Sequence, residues 1–339
     1  MTDALVSVAE KVRFLSQPGS YPHTPAQVDV RETHMSWLFL TGSLVFKLKK
    51  PVIYPFLDFS TLTARYQNCS AELSLNRRLA GDVYRKLVAL RRLASGELTL
   101  GGSGKVVDWM VEMTQLAEVD MLESRIKTGR LTAAEVLSIG DILSRFYRTA
   151  APRIADGHVY LAHLQGESEV NRQILLRQDL GVATPDTVAI LDRVDALLAA
   201  AMPRIEARIA AGRIVEGHGD LRPEHVCLQR HPVIIDCLEF DERMRILDPY
   251  DEVHYLGLEC AFLGAPWIGP ILVSCLERDL GHPVEKALLH SYGAFRAVLR
   301  ARLSLAHLLD PHPATPERWR AKALAYLALA ETECLKARD

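Results

Sequence analysis

Hydrophobic and polar residues alternate over short stretches in the N-terminal third of the chain, a pattern typical of β-strands. The segment "VDVRETHMSWLFLTGSLVFKLKK" predicts three strands, at 28–33, 37–41 and 44–49, with turns at "HMS" and "TGS". Two or three more strands are predicted within 86–116, around the "GGSG" turn. The first part of the chain is therefore expected to form an antiparallel sheet.

Helical spacing of apolar residues marks two stretches of this part, 4–16 and 62–81, and most of the chain after residue 117. A strand-rich part with a packed helix, followed by a helix-rich part, predicts a two-lobed α+β fold. The predicted domains are an N-lobe at 1–112, a hinge at 113–117 and a helical C-lobe at 118–339.

The composition narrows the class of protein. A hydrophobic content of 49%, a charged content of 24% and a net charge of −2 are ordinary for a globular protein and disfavour nucleic-acid binding. The N-terminus lacks a signal-peptide pattern, so a cytoplasmic protein is expected. The most apolar region, "LGLECAFLGAPWIGPILVSCL", contains a glutamate and two prolines. It therefore predicts buried helices and not a membrane-spanning segment, and no membrane is expected as a partner. Six scattered cysteines predict reduced, mostly buried thiols.

The stretch "GHGDLRPEHVCLQRHPVIIDCLEF" concentrates the candidate chemistry in His218, Asp220, His225 and Asp236. Phosphoryl transfer needs a carboxylate near the acceptor hydroxyl, a metal-holding side chain and a cation on the phosphates. The kinase catalytic loop spaces its residues His-x-Asp-x-x-x-x-Asn, and here His225 stands at the Asn position. Asp236 follows the apolar run "VII" and is expected to end a strand as a metal ligand.

A cation is expected from "LVFKLKK" in the first lobe. Lys47 and Lys49 share one face of the predicted strand, and Lys47, which follows three apolar residues, is the better candidate for a cleft. Glu72, on the helix at 62–81, is its predicted partner. The alternatives are a solvated Lys47 on an edge strand and a Glu72 paired with a neighbouring arginine on its own helix.

With "THMSWLFLTGSLVFKLKKPV", "AELSLNRRLA" and "LDPYD", these motifs resemble the aminoglycoside phosphotransferase and choline kinase-like family, which has a protein-kinase-like fold. They also resemble the kinase-like domain of a bacterial subgroup that is often fused to a P-loop domain, whose G-x-x-x-x-G-K-[ST] motif is absent here. The resemblance implies a small-molecule kinase that uses ATP and Mg²⁺, or Mn²⁺, and transfers phosphate to an aminoglycoside, sugar or amino alcohol.

The resemblance also implies roles for single residues. Asp220 would be the catalytic carboxylate, with His218 holding its loop. Asp236 would bind the metal, and Lys47, paired with Glu72, would contact the phosphates. The remaining implied contacts are the turn over the phosphates (Thr33, His34, Ser36), the nucleotide-binding hinge (Glu112, Met113) and a structural carboxylate that supports the loop (Asp251).

Two departures from the family pattern keep alternatives open. The phosphate-covering turn has no glycine, so backbone approach to a phosphate is harder. His225 either binds a second metal, which would favour Mn²⁺ over Mg²⁺, or buttresses Asp220 beside a single metal on Asp236. The other function classes are a nucleotide-binding regulator with little transfer activity and a hydrolase with a metal on His218, Asp220 and His225.

Two further charged groups are candidates for an acceptor pocket. The acidic residues Glu239 to Glu242 could line a pocket for a cationic acceptor. Arg296, Arg300 and Arg302, which lie on one predicted helix, are expected to form a solvated face, and the alternative for them is a role in the substrate pocket.

Overall fold

The computed structural model describes residues 6–54, 57–309 and 315–338. The chain divides into two compact units, Met1–Met121 with His225–Asp241, and Leu122–Glu224 with Glu242–Asp339. In the described residues the helices are α1 (Val8–Leu15), α2 (Leu62–Ala80), α3 (Leu122–Lys127), α4 (Ala133–Thr149), α5 (Gly157–Leu175), α6 (Pro185–Ala210), α7 (Pro249–Phe262), α8 (Ile268–Leu280), α9 (Lys286–Ala306) and α10 (Pro316–Lys336). The strands are β1 (Asp29–Glu32), β2 (Ser36–Leu40), β3 (Leu44–Lys49), β4 (Ile53–Tyr54), β5 (Leu57–Asp58), β6 (Tyr84–Arg92), β7 (Leu98–Leu100), β8 (Lys105–Thr114), β9 (Val215–Glu216), β10 (Val226–Cys227), β11 (Val233–Ile234) and β12 (Ile246–Leu247).

The first unit is built on a six-stranded antiparallel sheet with the order β1-β2-β3-β8-β6-β7. Alternation along β3 sends Phe46 and Leu48 into a core with Leu15 of α1. Lys47 and Lys49 point to the opposite face, where both contact Glu72 of α2. The sheet therefore presents an apolar face to α1 and carries two lysines toward α2.

Both helices of this unit are tied to β8 through Asp108, a buried carboxylate. Lys11 of α1 donates to its Oδ2 at 2.7 Å, and Arg65 of α2 donates to its Oδ1 at 2.8 Å. Breaking a buried ion pair by removing one partner is costly, because the remaining charge stays desolvated. This network fixes the helix that carries Glu72 against the sheet that carries the lysines.

The second unit is helical, with α9 packed against α5, α6, α7 and α10, and with α8 packed against α4 and α7. Helices α7 and α8 approach closely at Gly257 and Gly269. A Cβ added to Gly257 would lie 2.7 Å from the Cα of Gly269, so a side chain there would force the two helices apart. Two carboxylates at the start of α7, Asp251 and Glu252, tie this helix to its surroundings.

The predicted α+β class, with a strand-rich first part and a helical remainder, is confirmed. The three predicted N-terminal strands match β1, β2 and β3, and the helix predicted at 62–81 is α2. The helix predicted at 4–16 is observed as Val8–Leu15, and its residues 4 and 5 lie outside the described residues. The lobe and hinge boundaries stay a prediction.

Two further expectations concern the whole chain. All six cysteines are free and buried, as predicted from their scattered positions. Among the helices that the structure describes, none combines the length and the apolar character that crossing a membrane requires.

Candidate functional site

Lys47 is held between two carboxylates of the first unit. Its Nζ donates to Oε1 of Glu72 at 2.8 Å and to Oδ1 of Asp236 at 3.0 Å. Glu72 is fully buried, whereas the Asp236 side chain is 46% exposed. An ammonium has three N–H donors, so the two carboxylates orient Lys47 and leave donor capacity for a ligand.

Lys49 forms a second, deeper ion pair that the sequence interpretation missed. Its side chain is 2% exposed and contacts Glu72 and Glu239, the latter at 2.5 Å. The signal was present in the sequence, because residues two apart on a strand share one face. Glu72 therefore serves both lysines, and Lys49 is enclosed while Lys47 lies beside the exposed carboxylate.

These contacts shift the pKa values of the charged groups. Burial alone would lower the pKa of Lys47, but Asp236 and Glu72 outweigh it and raise that pKa well above its usual range. The positive charge of Lys47 holds the pKa of Asp236 far below its usual range, against the effect of burial. Lys47 is therefore charged and Asp236 ionised across the physiological pH range.

The ionised Glu72 should make stability depend on pH in a defined direction. Burial alone would raise the pKa of Glu72, but Lys47 and Lys49 hold it below its usual value of 4.5. The stabilisation that this carboxylate contributes is therefore complete above 4.5 and is lost as pH falls through the lower, folded-state value.

We expect the difference in unfolding free energy between wild type and Glu72→Gln to stay constant from pH 7 down to about 5 and to shrink below 4.5. Denaturant titrations at several pH values measure it. A difference that already shrinks between pH 7 and 6 would contradict this electrostatic description.

The backbone at Asp236 adopts an unusual conformation. Its φ angle is +61°, which lies in the left-handed region. Residues other than glycine, asparagine and aspartate rarely adopt this backbone conformation. The sequence had predicted Asp236 at a strand end, but β11 stops at Ile234. Two side chains hold the turn: Tyr84 Oη accepts from the Asp236 N–H at 3.1 Å and Asn76 Oδ1 from the Cys237 N–H at 2.8 Å.

His225 lies beside Asp236 in the same unit. The distance from its Nε2 to Oδ2 of Asp236 is 3.6 Å, and its side chain is 8% exposed. The His225 carbonyl accepts from the Ile235 N–H at 2.9 Å, which fixes the histidine relative to the Asp236 turn. This position suits either a second metal ligand or a buttress, so the role of His225 stays a prediction.

The predicted phosphate turn and hinge are also in the first unit. Thr33 Oγ1 accepts from the Ser36 N–H at 3.0 Å, so the turn is closed on itself, and His34 is exposed at its tip. Glu112 and Met113 lie in β8, paired with both β3 and β6. The Glu112 carboxylate contacts Arg85 at 3.0 Å. Contact of these residues with a nucleotide stays a prediction.

In the second unit, Glu252 holds the loop that carries Asp220. Its carboxylate accepts from the N–H groups of His218 at 3.0 Å and Gly219 at 2.5 Å, and from the Tyr147 hydroxyl at 2.6 Å. His218 is fully buried, and its Nδ1 accepts from the Asp220 N–H at 3.3 Å. The lone pair of Nδ1 is therefore already used by the Asp220 N–H. His218 thus suits loop support better than metal binding through Nδ1.

Asp220 is partly exposed and oriented by an arginine. Its side chain is 33% exposed, and Arg222 donates to Oδ2 through Nε at 3.1 Å while its second nitrogen lies 3.0 Å away. Arg222 also contacts Glu224 at 2.6 Å. The guanidinium thereby fixes the orientation of the Asp220 carboxylate. Sequence reasoning did not single out Arg222.

We expect Tyr147→Phe to destabilise the protein by about 1.5–3 kcal/mol, the usual value of a hydrogen bond to a charged group. It should also lower turnover, because Glu252 would hold the loop less firmly. Tyr160→Phe is the matched control, since Tyr160 donates to the buried Asp251 at 3.1 Å. Equal turnover in the two variants, measured where both are folded, would contradict the role of Glu252.

Two predictions about this unit are wrong. Loop support comes from Glu252, whereas the neighbouring Asp251 pairs with Arg296 through two contacts of 2.7 Å. Consecutive helical residues point about 100° apart, so Asp251 and Glu252 face different partners.

The expected solvated arginine face is instead mostly enclosed: Arg300 pairs with Glu259 and Arg302 with Glu167, and their side chains are only 11% and 13% exposed.

The acidic stretch that could line a pocket is largely committed to ion pairs. Glu239 contacts the buried Lys49 in the first unit. Glu242 accepts from Arg153 at 2.9 Å in the second. Neither carboxylate is available as an unpaired anion for a cationic acceptor.

Solved structures with the same fold include choline and ethanolamine kinases. A choline/ethanolamine kinase family protein from Mesorhizobium loti is 15% identical and superposes with a TM-score of 0.55, covering 96% of this chain and 98% of that chain. Choline kinase from Cryptosporidium parvum is 11% identical with a TM-score of 0.55, covering 96% and 95%. Choline kinase LicA from Streptococcus pneumoniae is 16% identical with a TM-score of 0.50, covering 89% and 94%.

The sequence relatives are uncharacterized mycobacterial proteins. Those from Mycobacterium tuberculosis and Mycobacterium bovis are 28% identical over 289 residues, which is 84% of this chain and 56% of their own length. The chain thus spans little more than half the length of these relatives. No family model matches the chain. The structural likeness, which extends over nearly the whole chain, shows that the protein has the kinase-like fold of the choline and ethanolamine kinases.

Proposed function

We propose that the protein is a small-molecule kinase that transfers the terminal phosphate of ATP to a hydroxyl group, in the cytoplasm. The observation that carries the proposal is Lys47, a charged lysine held between the buried Glu72 and the partly exposed Asp236. A kinase that uses ATP needs such a cation near the phosphates of the nucleotide. It also needs a carboxylate that can hold the metal ion bound to those phosphates. The kinase-like fold agrees with this assignment.

In this proposal Lys47 donates its remaining N–H to the phosphates of the nucleotide. Glu72 and Asp236 already use two of its donors and thereby limit the rotation of the ammonium. The enclosed Lys49 keeps Glu72 ionised and in place, and so acts on the nucleotide only through Glu72 and Lys47. Lys47 is thus the ligand-binding lysine and Lys49 a positioning residue.

Asp220 is the proposed proton acceptor. The acceptor hydroxyl oxygen attacks the terminal phosphorus, a new O–P bond forms, and the bond to the bridging oxygen breaks as ADP leaves. The hydroxyl proton passes to the Asp220 carboxylate, which Arg222 orients. His218, through its hydrogen bond from the Asp220 N–H, fixes the loop during the step.

The residues present fit one Mg²⁺ ion. Asp236 supplies a partly exposed carboxylate, the oxygen ligand that Mg²⁺ prefers, and its low pKa keeps it ionised. The ion would supply charge neutralisation at the phosphates. The imidazole of His225, 3.6 Å from Asp236, is a poor Mg²⁺ ligand, so we assign His225 to buttressing and expect one metal.

A nucleotide-binding regulator is the second candidate, and the closed turn favours it. The Ser36 N–H is used by Thr33 Oγ1, so one backbone donor of the turn is already committed. Nucleotide binding without transfer would then be the function. The mycobacterial relatives, being uncharacterized, do not decide between the two candidates.

The test is nucleotide consumption by the full chain, screened against hydroxyl compounds that include amino alcohols, sugars and aminoglycosides, with Mg²⁺ and with Mn²⁺. We expect at least one compound to accelerate ADP release well above the rate without acceptor, and the phosphorylated product to appear in equal amount. Saturable ATP binding without product for any acceptor would favour the regulator. Absence of ATP binding would refute both candidates.

A further inference from the structure

A cluster of three side chains in the second unit has no part in the proposed phosphate transfer. His254 of α7 and His290 of α9 both contact the carboxylate of Glu333 on α10. The Nε2 of His254 and the Nδ1 of His290 each lie 2.8 Å from the same oxygen, Oε2 of Glu333. One nitrogen from each ring and one carboxylate oxygen lie within 4.8 Å of one another.

The ligand types and their arrangement fit a transition metal better than Mg²⁺. Two imidazole nitrogens and one carboxylate oxygen form a donor set found in zinc sites that keep an open position. In a tetrahedral zinc site the ligand atoms lie about 3.3 Å apart, as follows from bonds of about 2.0–2.1 Å. The two contacts of 2.8 Å would therefore need to open by about half an ångström.

The cluster depends on a glycine of α9. A Cβ at Gly293 would lie 2.4 Å from Oε2 of Glu333 and 2.6 Å from Nε2 of His254. The ligand atoms can therefore come together at this point only because position 293 has no side chain. The other oxygen of Glu333, Oε1, accepts from Lys336 at 2.9 Å, which turns Oε2 toward the histidines.

An adjoining cavity supplies the access that an exchangeable ion needs. It has a volume of about 530 Å³, lies among α7, α8, α9 and α10, and is lined by all three residues of the cluster. Glu333 itself is 1% exposed, whereas the two histidines are 12% and 18% exposed. The ligand atoms thus lie at the wall of a cavity, with a buried carboxylate behind two more accessible rings.

We propose that His254 Nε2, His290 Nδ1 and Glu333 Oε2 bind one divalent transition-metal ion, with Zn²⁺ as the best-fitting ion. Its fourth position is open to the cavity and holds water or a small ligand. The three helices are joined at this point by the metal, so binding stabilises the helical unit. The site is independent of Asp236 and its proposed Mg²⁺.

The test uses the full chain after treatment with a chelator and titration with Zn²⁺ in a calorimeter. Wild type should bind one Zn²⁺ per chain. His254→Gln and His290→Gln should bind at least about 100-fold more weakly, since changes even to residues behind the ligands cost 10–100-fold in metal affinity. Gly293→Ala should also weaken binding, and His231→Gln, which changes an exposed histidine, should not.

Wild type alone provides a second measurement if a variant fails to fold. Co²⁺ should give visible bands typical of tetrahedral coordination without a thiolate charge-transfer band, and Zn²⁺ should raise the melting temperature. Absence of stoichiometric Zn²⁺ binding would leave a hydrogen-bonded triad only and overturn the proposal. Binding that survives both histidine substitutions would overturn it as well, by placing the ion elsewhere.

Discussion

Asp220→Asn should lower the rate of phosphate transfer by about 10²–10⁴-fold, the usual contribution of a positioned general acid or base. The amide is nearly the same size as the carboxylate but cannot accept the hydroxyl proton. Arg222 would lose its ionic partner, while the loop itself should persist, because Glu252 holds the backbone N–H groups of His218 and Gly219. Steady-state turnover with the acceptor found by screening measures the effect.

Arg222→Met is the informative comparison. It removes the guanidinium from Asp220 but leaves the carboxylate, so turnover should fall less than in Asp220→Asn. An Asp220→Asn variant with turnover close to wild type would contradict the role of Asp220 as proton acceptor.

Lys49→Met should destabilise the protein by about 3–5 kcal/mol, the range for removing one partner of a buried ion pair. The substitution would leave Glu239 without this buried cation and Glu72 with Lys47 as its remaining lysine. Lys47→Met should cost less stability, because Asp236 is partly exposed, but should impair nucleotide use far more. Denaturant unfolding and ATP turnover of the two variants measure this separation.

Lys50→Met serves as the matched control on the same segment. Lys50 pairs with Glu32, whose side chain is 53% exposed, and surface pairs contribute about 0–1 kcal/mol. The control should therefore be close to wild type in stability and in turnover. If Lys49→Met proved as stable as Lys50→Met, the buried ion pair of Lys49 would not contribute the stability that we assign to it.

Local patterns were enough to predict much of the first unit. Alternation along β3 placed Lys47 on the face that α2 covers, and helical spacing placed Glu72 on α2. The contact between them follows from packing one element on the other. The same alternation places Lys49 on this face as well, but the three apolar residues before Lys47 favoured Lys47 alone as the partner of Glu72.

Other features depend on contacts between distant segments and leave no local signal. The left-handed turn at Asp236 exists because Tyr84 and Asn76, more than 150 residues earlier in the chain, bind its backbone. Whether Asp251 or Glu252 supports the loop that carries Asp220 depends on the rotation of α7, which spacing alone does not determine. These positioning contacts are where the sequence was least informative.

The central claim is that Asp236 binds the metal–nucleotide complex while Asp220 acts on the acceptor, and calorimetric titration with ATP and Mg²⁺ tests it most directly. Asparagine tolerates the left-handed backbone, so Asp236→Asn removes the carboxylate charge while keeping the turn. The account predicts that Asp220→Asn binds Mg²⁺–ATP like wild type, whereas Asp236→Asn binds it much more weakly. Equal losses of affinity in both variants, or full affinity in Asp236→Asn, would contradict the account.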